Sequence, residues 1–183
     1  MSRQIDTPIR FALIGGLAVS IWGSVRATQD IDLLADSDPS PIGNAGLRDK
    51  MRKLIERQRC GVEWRVGEYD DPIPLLLRIE LSRRHRNVGV DILWAHKHWQ
   101  REALSRTIAV NTMRQRVPVL HPEDLIIMKL QAGGPQDFLD VEALLTVGPR
   151  QLNLRRLKRF ATRLRLKKAL EECLARAGSR REK

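Results

Sequence analysis

The sequence predicts an α/β core followed by a helical C-terminal region with a basic tail. Across residues 1–120, short apolar runs of strand length alternate with amphipathic stretches, separated by turns containing Gly, Pro, Ser and Asn. From His121 onward the texture changes, and apolar residues recur at helical spacing. The 183 residues suffice for one domain, or one with a small appendage, and 42% hydrophobic content is ordinary for a globular chain. The expected division is 1–120 for the core and 121–183 for the helical region.

Ile9–Ile14 reads as a short buried strand ending at Gly15-Gly16. Leu17–Trp22 continues as an apolar helix, with Gly23 as its stop. Thr28–Ala35 is the next strand, its apolar character supplied by Ile31, Leu33 and Leu34. Ser37–Gly46 is a loop by composition. Leu47–Cys60 is a helix with Leu47, Met51, Leu54 and Ile55 on one face. Val62–Gly67 alternates as a strand does, and Asp70-Asp71-Pro72 with Pro74 marks the turn after it. Leu75–Leu81 and Val88–Trp94 are further strands joined by the basic link Arg83–Arg86. His96–Arg106 reads as a helix, and Ile108–Asn111 and Arg116–Leu120 as short edge strands or an arm.

In the C-terminal region, Pro122 suits a first helical position, and Glu123 and Asp124 suit the positive end of the helix. That helix stops at Gly133-Gly134-Pro135, and Gln136–Leu145 forms the next. In the tail, Leu157, Phe160, Ala161 and Leu164 form one apolar stripe. Leu166, Ala169, Leu170, Cys173 and Leu174 form another, about half a turn out of phase at ~100° per residue. One straight helix cannot bury both stripes against one surface, so a break is expected near Arg163–Leu166.

The net charge of +11 suggests a polyanionic partner such as nucleic acid. It is concentrated in residues 150–183, where 13 basic residues face three acidic ones. Arg155, Arg156, Lys158, Arg159, Arg163, Arg165, Lys167 and Lys168 read either as a phosphate track for RNA or as a solvated helix face. Cys60 and Cys173 have no metal-ligand spacing and read as reduced thiols, and the four histidines form no zinc motif. No stretch approaches the ~20 apolar residues of a membrane span, so a soluble, cytoplasmic protein is expected.

Three features carry chemistry. Asp30 and Asp32, two apart in a strand, point to one side, and paired carboxylates there call for a cation. Mg²⁺, a hard ion that bridges substrate phosphates, meets that need, with Mn²⁺ as the alternative; an acidic strand end facing solvent is the plainer reading. Gly15-Gly16, between a strand and a helix, allows backbone N–H groups to approach phosphate oxygens, or is simply a turn needing positive φ. Asp91, in NVGVDILWA, is costly in an apolar strand unless bound to a cation or paired with an arginine.

GGLAVSIWGSVRATQDIDLL, VDILWA and HPEDLIIMKLQAGGPQDFLDVEALL together resemble the nucleotidyltransferase superfamily, in the bacterial branch that includes the AbiEii-type toxins of abortive-infection and toxin–antitoxin systems. The resemblance runs from about Phe11 to the tail. It implies a mixed sheet flanked by helices, with a triphosphate over Gly15 and Gly16 and Mg²⁺ on Asp30 and Asp32. Asp91 would be a third metal ligand or the base for the attacking hydroxyl. Arg26, Thr28 and Lys129 would lie near the nucleotide. Asp137 and Asp140, three apart on a helix, would either hold Lys129 or act directly in the site. Many relatives have Ser where this chain has Gly16, and Arg-x-Lys-Asp where it has Gly134-Pro135-Gln136-Asp137, so both basic positions of that corner are lost.

The implied activity is transfer of a nucleoside monophosphate from an NTP to an acceptor hydroxyl, with release of pyrophosphate. The basic tail favours RNA, such as a tRNA end, as the acceptor over a protein hydroxyl, and an antitoxin protein is an implied partner. The alternative is a catalytically silent nucleotide- or RNA-binding module on the same fold.

Overall fold

The computed structural model describes residues 9–23, 27–68, 73–83, 86–112, 115–147 and 152–181. Its elements, in chain order, are β1 (Arg10–Leu13), α1 (Gly15–Ile21), β2 (Ile31–Asp36), α2 (Ala45–Glu56), β3 (Gly61–Val66), β4 (Leu75–Arg83) and β5 (Arg86–Trp94). They continue with α3 (His98–Leu104), β6 (Ile108–Asn111), β7 (Arg116–Val119), α4 (Pro122–Ala132), α5 (Pro135–Val147), α6 (Leu154–Arg163) and α7 (Lys167–Arg181). The chain is of the α/β class. It divides into a sheet unit, residues 9–13 and 29–119, and a helical unit, residues 14–28 and 120–181.

The sheet unit holds seven strands in the order β3-β4-β5-β2-β1-β7-β6. The β2–β5 and β1–β7 pairs are parallel and the other neighbours antiparallel, which makes the sheet mixed. β7 therefore lies inside the sheet, and of the two strands expected at the edge only β6 is there. Strand alternation puts Leu33, Ala35, Leu77, Ile92 and Trp94 on one face and Asp32, Arg78 and Asp91 on the other. On the apolar face Ala35, Leu75, Leu77 and Trp94 are buried, and the Trp64 ring lies 5.9 Å from that of Trp94. Trp99 is buried too, so these three tryptophans serve as core. α2 covers this face only in part: Met51 and Ile55 pack on it, no α2 residue is fully buried, and a cavity of about 460 Å³ lies between Met51, Leu54, Ile55, Phe11, Leu33 and Trp94. α3 is shorter than the expected 96–106, because the Gln100 side chain accepts from the N–H groups of His96 and Lys97 and fixes the start at His98.

In the helical unit α4 is the central element, with Leu125, Ile126, Ile127 and Leu130 all buried and α1, α5 and α6 packed on it. It starts at Pro122 and ends at Gly133, whose φ of 67° is the left-handed conformation a helix terminus commonly needs. Its first-turn acids are buried and tied to α6: the Asn153 N–H donates to Glu123 at 2.8 Å, and Arg156 Nη2 reaches Asp124 at 3.4 Å. Burial alone would push the Glu123 carboxyl up, but His121 and the Asn153 N–H hold it below the ordinary carboxylate range. Within the same unit, Trp22 Nε1 donates to the Leu120 carbonyl at 3.0 Å.

The tail breaks where the two apolar stripes fall out of phase. α6 buries Leu157, Phe160 and Ala161, and α7 buries Leu170, Cys173 and Ala177. Between them the Leu166 N–H donates to the Ala161 carbonyl at 2.7 Å and the Arg165 N–H to the Thr162 carbonyl at 3.1 Å. This paired pattern terminates a helix around a left-handed residue, and Arg165, at φ 61°, fills that place. A side chain there is strained, so Arg165→Gly is expected to stabilise the protein by about 0.5–1 kcal/mol and Arg165→Val to destabilise it, as read from urea unfolding midpoints.

Candidate functional site

The strand registers line up one charged row across the sheet unit. Glu63 of β3 is paired with Arg78 of β4, Arg78 with Asp91 of β5, and Asp91 with Asp32 of β2. Period-two alternation places all four side chains on one face, opposite the apolar one. Asp30 belongs to the same neighbourhood, although β2 begins only at Ile31, so that Asp30 sits on the bend leading into the strand. Its carboxylate lies over Gly89: a Cβ at that position would collide with Asp30 Oδ1 and sit 2.9 Å from Arg78 Nη2.

Arg78 is the cation of this row. Its Nη1 donates to both Asp91 oxygens, at 3.0 and 3.3 Å, and its Nη2 lies 3.5 Å from Asp30 Oδ1. The arginine pairing that the sequence left open for Asp91 is present. At the outer end Glu63 pairs with Arg65, which holds the Glu63 carboxyl below its ordinary range. Among the described residues no three His, Cys, Asp or Glu side chains converge as a metal-holding group. The donor chemistry nonetheless fits a hard divalent cation: Asp32 and Asp91 are register partners on parallel strands, Asp30 is two residues from Asp32, and all three are only partly exposed.

α1 starts at Gly15, two residues before the expected Leu17; Gly15 has φ 63°, the positive φ of the turn reading, and Gly16 is buried. Thr28 is half-buried in the helical unit, and Arg26 lies outside the described residues.

Lys129 of α4 is held by two carboxylates of α5. Its Nζ donates to Asp137 Oδ1 at 2.7 Å and lies 3.0 Å from Asp140 Oδ2, with Asp140 only 2% exposed. Burial works against the charge, but the hydrogen bonds and fields of Asp137 and Asp140 outweigh it and raise the ammonium above its ordinary pKa. The pairing of both acids with Lys129 is present. The positions where relatives carry basic residues are folded into the same cluster: the Gly134 N–H donates to Asp137 at 3.2 Å, and Gln136 Nε2 donates to Asp140 at 3.1 Å. A Cβ on Gly134 would stand 3.0 Å from Asp137 Oδ2, so the glycine permits that approach.

The family model described as nucleotidyl transferase AbiEii toxin, type IV TA system, matches residues 3–182. The chain belongs to the AbiEii nucleotidyl transferase toxin family. Curated proteins give no match. Similar solved structures include the following two. One is a lincosamide antibiotic adenylyltransferase, LnuA, lincomycin-bound, at 16% identity and TM-score 0.44, covering 76% of this chain and 87% of that one. The other is the antibiotic-resistance factor ANT(2'')-Ia, at 13% identity and TM-score 0.44, covering 95% and 88%. At those scores neither likeness bears on this AbiEii-family chain's chemistry.

Two residues of the charged row, Arg78 and Glu63, and the neighbouring Gly89 escaped the sequence. The signal for Arg78 was present, since a cation between Leu77 and Ile79 in an apolar strand needs an acid beside it, and Asp91 is one of the acids set singly in an apolar run. The Lys129 cluster gives a direct test. Lys129→Met leaves the buried Asp140 without its cation and is expected to cost about 3 kcal/mol in urea unfolding at neutral pH. Because the folded pKa is raised, that contribution is present below the unfolded lysine value near 10.4 and fades as pH rises through the folded one.

Proposed function

We propose that this AbiEii-family chain transfers a nucleoside monophosphate from an NTP to an acceptor hydroxyl, and that it is the toxin of a toxin–antitoxin pair. The observation that supports this most is the row that sets Asp32 against Asp91 on parallel strands with Asp30 alongside, in a chain of a nucleotidyltransferase family. In the reaction the acceptor oxygen bonds to the α-phosphorus, the bond from that phosphorus to the bridging oxygen breaks, and pyrophosphate carries away the electron pair. Mg²⁺ or Mn²⁺, when bound, supplies charge neutralisation at the transferring phosphate.

Asp30 and Asp32 are the proposed ligands, with Asp91 as third ligand or as acceptor of the hydroxyl proton at its carboxylate. Gly15 and Gly16 offer backbone N–H groups to phosphate oxygens, and Arg26 and Thr28 are assigned to the nucleotide by family resemblance. Lys129 has three N–H donors and shares its charge between two carboxylates. It therefore acts as a positioned hydrogen-bond donor rather than as a lone point charge.

RNA is the acceptor favoured here over a protein hydroxyl. α6 and the start of α7 expose Arg155, Lys158, Arg159, Arg163, Arg165, Lys167 and Lys168, while Arg156 is turned to Asp124. Arg163 lies 4.9 Å from the Phe160 ring centroid. A second reading, nucleotide binding without transfer, draws on one observation: Gln136, in place of a basic residue, spends its amide on Asp140.

With labelled NTP, Mg²⁺ and total RNA, the wild-type chain is expected to label RNA and an Asp30→Ala/Asp32→Ala variant to lose at least about 100-fold of that rate, as removal of metal ligands should cost. Nucleotide binding without any transfer would establish the second reading. Replacing Arg155, Lys158 and Arg159 with Ala is expected to lower RNA affinity and flatten the log–log salt dependence by about 0.7 for each phosphate that is no longer neutralised. An unchanged slope would remove the tail from the interface.

A further inference from the structure

A built-in cation, Arg78, stands at the centre of the charged row. Resting on the reading of Asp30, Asp32 and Asp91 as ligands of a divalent cation, we propose that Arg78 is a positioning residue. In the metal-free protein it occupies the cation's place on Asp91 and Asp30, and it competes with the metal for those oxygens. Gly89 supplies the space in which it does so.

Register delivers the first half of this arrangement. Arg78 and Asp91 are direct antiparallel partners, and Nη1 spans both carboxylate oxygens at 3.0 and 3.3 Å. Reach delivers the second half, since Nη2 extends to Asp30 Oδ1 at 3.5 Å, on a segment that is not a neighbour of β4 in the sheet. That reach passes over β5 at Gly89, and any Cβ there would drive into the Asp30 carboxylate and stand 2.9 Å from Arg78 Nη2. A glycine with no positive-φ requirement, flanked by Val88 and Val90 in mid-strand, has this close approach as its reason.

The two contacts are unequal. The Asp91 side chain is 17% exposed and Asp30 43%, so the shorter, more enclosed pair is the anchor and the Asp30 contact the releasable one. A guanidinium does not lose its proton, so it can yield the site only by moving. A divalent ion on Asp30 Oδ1 or Asp91 Oδ2 would face Arg78 across a few ångströms, and the two positive charges would repel. Metal entry therefore shifts Arg78 off Asp30. Without metal, Arg78 keeps carboxylates of adjacent strands from repelling one another. An ordinary cross-strand ion pair would also stabilise the sheet, but it would leave metal affinity untouched, or lower it when removed.

The sign of the affinity change is the test. Mn²⁺ is titrated calorimetrically into full-length wild type, Arg78→Met, Arg78→Gln, Arg78→Lys and Asp30→Ala/Asp32→Ala, and thermal midpoints are recorded in EDTA and in Mn²⁺. Arg78→Met is expected to melt lower than wild type in EDTA, to bind Mn²⁺ roughly tenfold more tightly once the competing charge is gone, and to gain more in midpoint from Mn²⁺. Arg78→Lys keeps the charge and stays near wild-type affinity. Arg78→Gln keeps a donor to Asp91, is expected to show the same sign as Met, and carries the test if the Met variant does not fold in EDTA. Neutral variants that bind Mn²⁺ no tighter than wild type, while the Asp30→Ala/Asp32→Ala variant loses binding, would overturn the competition and leave the ligand assignment standing. Absence of Mn²⁺ binding in wild type and every Arg78 variant would overturn both.

Discussion

Like charges set side by side on a sheet are the constraint on which the site unit depends. Asp32 and Asp91 are direct partners on parallel strands, an arrangement that is unfavourable unless a cation stands near it. Nothing in the carboxylates themselves would choose that register. The other face chooses it: Leu33 and Ala35 meet Ile92 and Trp94 there, and a slip of one residue would turn Asp32 into that apolar layer and Leu33 out of it. The chemistry of one face is thus held in place by the packing of the other. Arg78 answers the repulsion that this packing imposes.

The helical unit meets the same difficulty with the signs reversed. There the half-buried Lys129 ammonium is enclosed by two carboxylates, and the helix that carries it places two more acids in its buried first turn. Each of those acids is answered from the α6 end of the unit, one by a backbone N–H and one by a guanidinium. Isolated charges in a core would be intolerable, so each of these positions fixes a partner, and the partners fix which helices adjoin α4. Part of what gives this unit its connectivity is polar, although its bulk is leucine and isoleucine.

The sequence disclosed elements better than partners. Strand and helix periods placed nearly all the described elements, and the phase jump between the Leu157 and Leu170 stripes located the break to within a few residues. The glycines and acids of the first 36 residues were readable from residue type and spacing, whereas Lys129 was singled out only by the family resemblance. The pairing of Asp91 with Arg78 was not readable, because it depends on which strands adjoin, and β2 lies beside β5 rather than beside its neighbours in sequence, α2 and β3. Gly89 was silent for a related reason: its meaning lies in a side chain that crosses it from another strand. α1 starts two residues before the expected Leu17, at a glycine whose φ of 63° is the positive value that the turn reading named.

The two units are interleaved along the chain, and this has a consequence for synthesis. Residues 14–28 are delivered early, yet the helices against which α1 packs, α4 and α5, leave the ribosome roughly a hundred residues later. Meanwhile the strand that flanks β1 on its other side, β7, is among the last of the sheet to appear. Neither unit can close around its own core until most of the chain has emerged. An N-terminal nascent fragment would therefore expose both an unpaired strand edge and an apolar helix, the surfaces that chaperones bind.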